Sequence, residues 1–244
     1  MKSVKAIIFD LDGTLVKIPS TNFFDDLLVR ALEKVGIPVP PASERVKLWI
    51  SGQRHEELLK SWGVGDSYVF WKVFDELDYE TRKNMIELGV IHPYEDVSCL
   101  EELSLNVPLG IVTNTSPRVT FLEVESFNLQ RFFSVVVALG TERQSEAKPE
   151  ATGVLEAFKA LGCHPSEGLI VGDSDADVIA GKKAGSKVVV VKRPHVKLKN
   201  KPHMYVETLH ELRQLLPDKQ YMNINGKIPN KKPTLRGNEN SEQV

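Results

Sequence analysis

Five short stretches of this chain are apolar almost without interruption: Val4–Phe9, Leu109–Thr113, Val135–Ala138, Leu169–Val171 and Val188–Val191. They are rich in valine and isoleucine, and apolar and polar residues do not alternate along them. That is the pattern of parallel strands buried on both faces. Such strands need helices packed above and below, and helical stretches stand between the later ones. "TFLEVESFNL" starts at Thr120, "ATGVLEAFKALG" ends at Gly162, and "DADVIAGKKAG" ends at Gly185, each glycine standing where a helix cap is expected. Strand alternating with helix predicts an α/β fold with a doubly wound parallel sheet.

Residues 16–92 depart from this alternation and show no strand signal. "TNFFDDLLVRALEKVG" carries Phe23, Phe24, Leu27, Leu28, Ala31, Leu32 and Val35 on one helical face, with Asn22 placed to cap its start and Gly36 its end. "SERVKLWI", "HEELLKSWG" and "DSYVFWKVFDEL" read as further helices. A parallel crossover needs a single helix, so the surplus predicts a small all-helical domain inserted after the first strand. The expected division is an α/β core of residues 1–15 and 93–217, a helical insert of residues 16–92, and a flexible polar tail of residues 218–244.

Charge and composition narrow the function. A net charge of −2 gives no field that would draw the chain to nucleic acid or anionic lipid. No apolar run reaches the length of a membrane span. The apolar stretch that runs up to Asp10 in "MKSVKAIIFD" is only four residues long, too short for a secretory leader, and no small-residue cleavage site follows. Cys99 and Cys163 read as reduced thiols, and a cytoplasmic location is expected. The six histidines show no metal-ligand spacing.

Ligands of an open parallel sheet bind outside the carboxyl ends of its strands. The first strand ends in Asp10 and Asp12. The strand at 109 ends in Thr113 and Asn114, and the strand at 169 in Asp173, Asp175 and Asp177. Lys148 precedes the helix at 151. Carboxylates, a hydroxyl, an amide and one lysine therefore share a rim. Clustered carboxylates suit a hard cation such as Mg²⁺. A carboxylate can also attack phosphorus and form an aspartyl-phosphate. It repels a phosphate by roughly 4 kcal/mol at 4 Å and an effective dielectric near 20, which is about three powers of ten in rate. A metal and a lysine offset that repulsion. A second acid beside the first can protonate the leaving oxygen and then activate water.

"DLDGTL", "VTNTS", "KPE" and "VGDSDADV" together resemble the four motifs of the haloacid-dehalogenase-like hydrolase superfamily, over residues 1–15 and 93–217. The insert resembles that superfamily's helical cap, as in phosphoglycolate phosphatases and β-phosphoglucomutase. The resemblance implies Asp10 as nucleophile and Mg²⁺ ligand, and Asp12 as general acid/base with its backbone carbonyl on the metal. It implies Thr113 and Asn114 as phosphate-binding residues and Lys148 as the neutralising lysine. Asp173 would be a metal ligand, with Asp177 in support and Asp175 outside the set. The acid at Asp12 separates phosphoryl transfer from haloacid dehalogenation, where no ester oxygen is protonated. The chain departs from many capped relatives in following "DGTL" with "VKIPS".

In "SGQRHEELL", Gly52 and Arg54 stand where the cap would contact substrate, whereas Trp49, Trp62 and Trp71 read as cap core. The expected activity is Mg²⁺-dependent hydrolysis of a small phosphorylated metabolite, such as phosphoglycolate, a sugar phosphate or pyrophosphate. The alternatives are a phosphomutase of the β-phosphoglucomutase kind and a non-catalytic binding protein on the same fold.

Overall fold

The computed structural model of the chain describes residues 4–20, 22–216 and 234–236. At its centre lies β1 (Ala6–Phe9), buried at every position. Ile7 and Phe9 join one apolar cluster, and Ala6 and Ile8 the other. Two covered faces explain a strand with no polar residue in its body.

After β1 the chain passes through β2 (Val16–Lys17) and α1 (Phe23–Lys34), α2 (Ala42–Arg45), α3 (His55–Ser61) and α4 (Ser67–Glu87). It returns through β3 (His92–Pro93) and α5 (Leu100–Asn106) to β4 (Leu109–Thr113). Then α6 (Pro117–Ser126) leads to β5 (Phe133–Ala138), and α7 (Thr152–Ala160) leads to β6 (Gly168–Gly172). Next come α8 (Asp175–Ala184), β7 (Lys187–Val191), β8 (Met204–Val206) and β9 (Thr234–Arg236).

Among the described residues, seven strands form one sheet in the order β8-β7-β6-β1-β4-β5-β9, with every pairing parallel. The chain winds outward from β1 through β4 and β5, then returns to β6 on the other side of β1. The order reverses there, which places the ligand crevice beyond the ends of β1, β4 and β6. Val154, Ala157 and Phe158 of α7 and Ala180 of α8 cover one face. Leu100 and Leu103 of α5 and Val124 of α6 cover the other.

The predicted face of α1 is the buried one, holding Phe23, Leu27, Leu28, Ala31 and Leu32. Gly36 closes the helix with φ +73°, but the Asn22 side chain makes no capping bond. The longest helix, α4, extends ten residues past Leu77, where the sequence expectation ends. Its buried face carries Phe70, Trp71 and Phe74, then the charged Asp78 and Arg82, with Met85 and Ile86 packing on the core beyond them, so two charged residues interrupt the apolar face.

Residues 16 to 92 also contain strands that the sequence does not predict. Val16 pairs with Pro93 and Lys17 with His92 in an antiparallel ribbon where the chain leaves and re-enters the core. Two residues a side are too short to show a period. The three-residue β8 escapes notice for the same reason. The tail expected over 218–244 lies outside the described residues except at Thr234–Arg236, where the backbone forms β9 beside β5. Among the described residues, no helix is long and apolar enough to cross a membrane. Cys99 and Cys163 are free and buried.

Candidate active site

The site begins where β1 stops. The Asp10 N–H donates to Val171 O at 2.9 Å, so the ladder holds the first carboxylate at the strand's end. The chain then turns through Gly13 at φ +78°, where a Cβ would collide with the Asp173 carboxylate. Only glycine allows this turn so close to β6. Thr14, fully buried, donates its hydroxyl to Asp173 Oδ1 at 2.9 Å.

Lys148 is brought in by Asn114, at the end of β4. The Asn114 amide donates to Lys148 O and accepts from Lys148 N, each at 2.8 Å. Lys148 Nζ then reaches Asp10 Oδ1 at 2.6 Å, Asp177 Oδ1 at 2.7 Å and Val112 O at 2.9 Å. All three ammonium protons have acceptors. Burial acts to lower the lysine pKa, but the charges of Asp10 and Asp177 outweigh it and hold the pKa above the ordinary value. Burial pushes Asp10 well above the usual carboxylate range, with Asp177 and Asp173 adding to the shift against the pull of Lys148.

Asp10, Asp173 and Asp177 offer carboxylate oxygens within 4.8 Å of one another. These three acids face one ammonium, so the rim holds excess negative charge, which a divalent cation would neutralise. The donors are all oxygen, the set preferred by Mg²⁺. Asp177 is already occupied by Lys148, by Ser174 Oγ at 2.6 Å and by the N–H of Ser174 at 3.1 Å. Asp10 also meets Lys148 through Oδ1, and Asp173 meets Thr14 through Oδ1 and His195 through Oδ2, so an ion here would share these carboxylates with their present partners. His195 Nε2 lies 2.6 Å from Asp173 Oδ2 and orients that carboxylate.

Asp12 is held from the opposite direction. Arg82 of α4 grips both of its oxygens, NH2 at 3.1 Å from Oδ2, and Thr115 Oγ1 donates to Oδ2 at 2.6 Å. The same guanidinium donates to Asp78 Oδ1 at 2.7 Å and Glu123 Oε1 at 2.6 Å. Arg82, Asp78 and Glu123 are all buried. Burial acts to lower the Arg82 pKa, but the three carboxylates outweigh it and keep the guanidinium charged. One insert residue therefore fixes the second acid of the core.

A cavity of about 620 Å³ opens between the insert and this rim. Asp10, Asp12, Thr113, Lys148, Asp173 and His195 form its core side, and Phe24, Trp49, His55, Trp71, Phe74 and Asp75 stand on the insert side. Asp75 Oδ2 is buried without a hydrogen-bond partner. Burial, with the charge of Asp78 behind it and Arg82 opposing, pushes this carboxyl up to about 8. In the unfolded chain it titrates near 4, so folding takes up a proton between pH about 4 and about 8. Stability therefore falls as pH rises through that window. Asp75→Asn is expected to melt higher than wild type by a few degrees at pH about 8, with the gap closing towards pH about 4. Thermal unfolding across pH checks this, and a gap independent of pH would contradict it.

The residues singled out in the sequence converge on this rim: Asp10, Asp12, Thr113, Asn114, Lys148, Asp173 and Asp177. Asp175 lies apart from the cluster of Asp10, Asp173 and Asp177, since its carboxylate accepts from the backbone N–H groups of Lys199 and Asn200. Gly52 lines the cavity at φ +53°. Arg54 does not line it: in the turn Gly52–Arg54, residues 52 and 55 face inward while Arg54 is exposed. Trp49 and Trp71 serve the aromatic cluster around Phe74 and also line the cavity.

Sequence reasoning missed Thr14, Arg82, Thr115, His195 and Asp75. Thr14 and Thr115 sit inside quoted motifs, and His195 lies just beyond β7, so strand ends were their signal. Arg82 and Asp75 had none beyond polar residues on the inward face of a helix.

The model of the family "Haloacid dehalogenase-like hydrolase" matches residues 7–191. A phosphoglycolate phosphatase of Aquifex aeolicus is 33% identical over 201 residues, covering 80% of this chain and 88% of that protein. A pyrophosphatase PpaX of Oceanobacillus iheyensis is 28% identical over 201 residues, covering 78% and 84%. The crystal structure of CbbY from Rhodobacter sphaeroides in complex with phosphate shares the fold with a TM-score of 0.67 at 18% identity, covering 86% of this chain and 96% of that one.

Proposed function

The chain belongs to the haloacid dehalogenase-like hydrolases, and from that premise we propose that it is a Mg²⁺-dependent phosphatase acting on a small phosphate monoester through phosphorylated Asp10. The observation that carries this is the Lys148 ammonium at 2.6 Å from Asp10, with Asp12 two residues on and Asp173 across the turn.

An Asp10 oxygen attacks phosphorus, and the bond from phosphorus to the ester oxygen breaks. The leaving oxygen takes a proton from Asp12. Water then attacks the same phosphorus, Asp12 takes its proton, and the acyl-phosphate bond breaks to return Asp10 and inorganic phosphate. Lys148 neutralises the nucleophile and the incoming phosphoryl group. The Thr113 hydroxyl and the backbone of the loop after it hold phosphoryl oxygens. Mg²⁺ bound by Asp10, Asp173 and the Asp12 carbonyl would screen the repulsion between carboxylate and phosphate. Arg82 and Thr115 keep the Asp12 carboxyl in place.

The cavity volume falls in the range that holds small metabolites. Phosphoglycolate and pyrophosphate, named for the relatives above, belong in the substrate panel together with sugar phosphates. Phosphate release is expected only with divalent metal, lost on chelation and restored by Mg²⁺. Release unaffected by chelation would contradict the proposal. Isomerised sugar phosphate without phosphate release would instead assign a phosphomutase.

A further inference from the structure

The loop that leaves β7 turns back to the carboxylates at the rim. His195 lines the cavity, and its Nε2 stands 2.6 Å from Asp173 Oδ2. A carboxylate oxygen only accepts, so Nε2 is the donor. Thr14 donates to the other oxygen, Oδ1, at 2.9 Å. Asp173 is therefore held at both oxygens, and one bond to each leaves each a lone pair for a cation. Lys148 serves Asp10 and Asp177 instead.

The histidine sits on a braced loop. Two residues earlier, Arg193 grips both oxygens of Asp96, at 2.9 and 2.8 Å, and donates to Thr14 O at 2.9 Å. Its guanidinium lies over the Tyr94 ring, 3.8 Å from the centre. Val196 and Leu198 pack against Val178, Val188 and Val190. Asp175 fastens the far end, accepting from the N–H groups of Lys199 at 2.9 Å and Asn200 at 2.7 Å. Arg193 and His195 thus converge on one carboxylate, the first through Thr14 and the second directly. A Cβ on Gly13 would strike both Asp173 Oδ2 and His195 Nε2, so the turn after β1, the histidine and the carboxylate meet at one point. A donor locked in this way presents a ligand already oriented.

We propose that His195 is a positioning residue for the cation site: its Nε2–H fixes the Asp173 carboxylate in the orientation that receives the divalent ion, and so sets the affinity of the site for metal. This rests on the Mg²⁺-dependent reading given above. The histidine lies in "KRPHVKLKN", outside the four motifs. A partner that orients a metal ligand from behind typically contributes about 10–100-fold in metal affinity.

The test measures Mn²⁺ binding to the full chain, freed of metal by chelation, through the loss of the free-ion electron paramagnetic resonance signal. Mn²⁺ shares the oxygen-ligand preference of Mg²⁺. Thermal unfolding of each variant checks the fold. In His195→Phe, which keeps a ring and removes the N–H, the dissociation constant is expected to rise about tenfold or more. His195→Gln should recover most of that loss, because its amide nitrogen can reach the place of Nε2. His195→Asn should not, because its amide stops at the place of Nδ1. The Mg²⁺ concentration for half-maximal phosphate release should rise in the same order. Equal Mn²⁺ affinity in wild type and His195→Phe would overturn the inference and leave the phosphatase reading intact. A loss shared equally by His195→Gln and His195→Asn would also overturn it, since the effect would not follow the Nε2 position. A wild-type chain that binds no Mn²⁺ at millimolar concentration would overturn the metal dependence and this inference with it.

Discussion

Asp10→Asn is expected to remove turnover by about four orders of magnitude or more while leaving the fold in place. The amide has nearly the carboxylate's shape but cannot form the acyl-phosphate, so the loss falls on the chemical step and not on binding. The fold should persist because the substitution removes one charge from a group of three buried carboxylates. Lys148 keeps Asp177 at 2.7 Å and Val112 O at 2.9 Å. Relief of repulsion among Asp10, Asp173 and Asp177 offsets the lost pairing with Lys148, so the melting temperature should stay near the wild-type value. Phosphate-release assays beside thermal unfolding check both halves. Near-normal turnover would remove Asp10 from the role of nucleophile.

Arg82→Met is expected to be the most destabilising single change in the insert. The guanidinium is the shared partner of Asp12, Asp78 and Glu123, in a setting where Arg82, Asp78 and Glu123 are buried. Removing it leaves acids facing one another without a cation, a change that typically costs about 3–5 kcal/mol. Burial already pushes Glu123 up to about 8, with Arg82 opposing the shift. Without Arg82 the carboxyls favour protonation further, so the destabilisation should shrink as pH falls from about 8 to about 5. Turnover of the folded fraction should also drop, because Asp12 keeps only Thr115 to orient it. Arg82→Lys should recover part of the stability and less of the activity, since an ammonium cannot bridge the two Asp12 oxygens as the planar fork does. Urea denaturation at two pH values tests the claim, and a loss below about 1 kcal/mol at neutral pH would contradict it.

The core of the fold was legible because its strands hide their bodies and expose their ends. Val4–Phe9 had to be buried on both faces, and Asp10 and Asp12 could then only stand at the carboxyl end. The same logic located Thr113 and Asp173, and Lys148 followed from the motif order. The Asp12–Arg82 pair was illegible because its members are 70 positions apart in the chain. Arg82 lies on the part of α4 where it and Asp78 interrupt the apolar face. The ribbon of Val16–Lys17 with His92–Pro93 was too short to leave a pattern. Trp71 and Asp75 looked like ordinary helix residues, and only their burial without partners distinguishes them. Arg54 was a reasonable substrate contact by charge, but the turn at Gly52 leaves it exposed.

In the proposed reaction Asp10 carries the phosphoryl group between ester and water. The most direct measurement is peptide mapping by mass spectrometry of acid-quenched Asp12→Asn during turnover of p-nitrophenyl phosphate with Mg²⁺. That leaving group needs little protonation, so the first transfer proceeds while the loss of the base slows the second. One phosphoryl group is expected on the peptide containing Asp10. A phosphoryl group on any other residue, or sustained phosphate release with none on the protein, would contradict it.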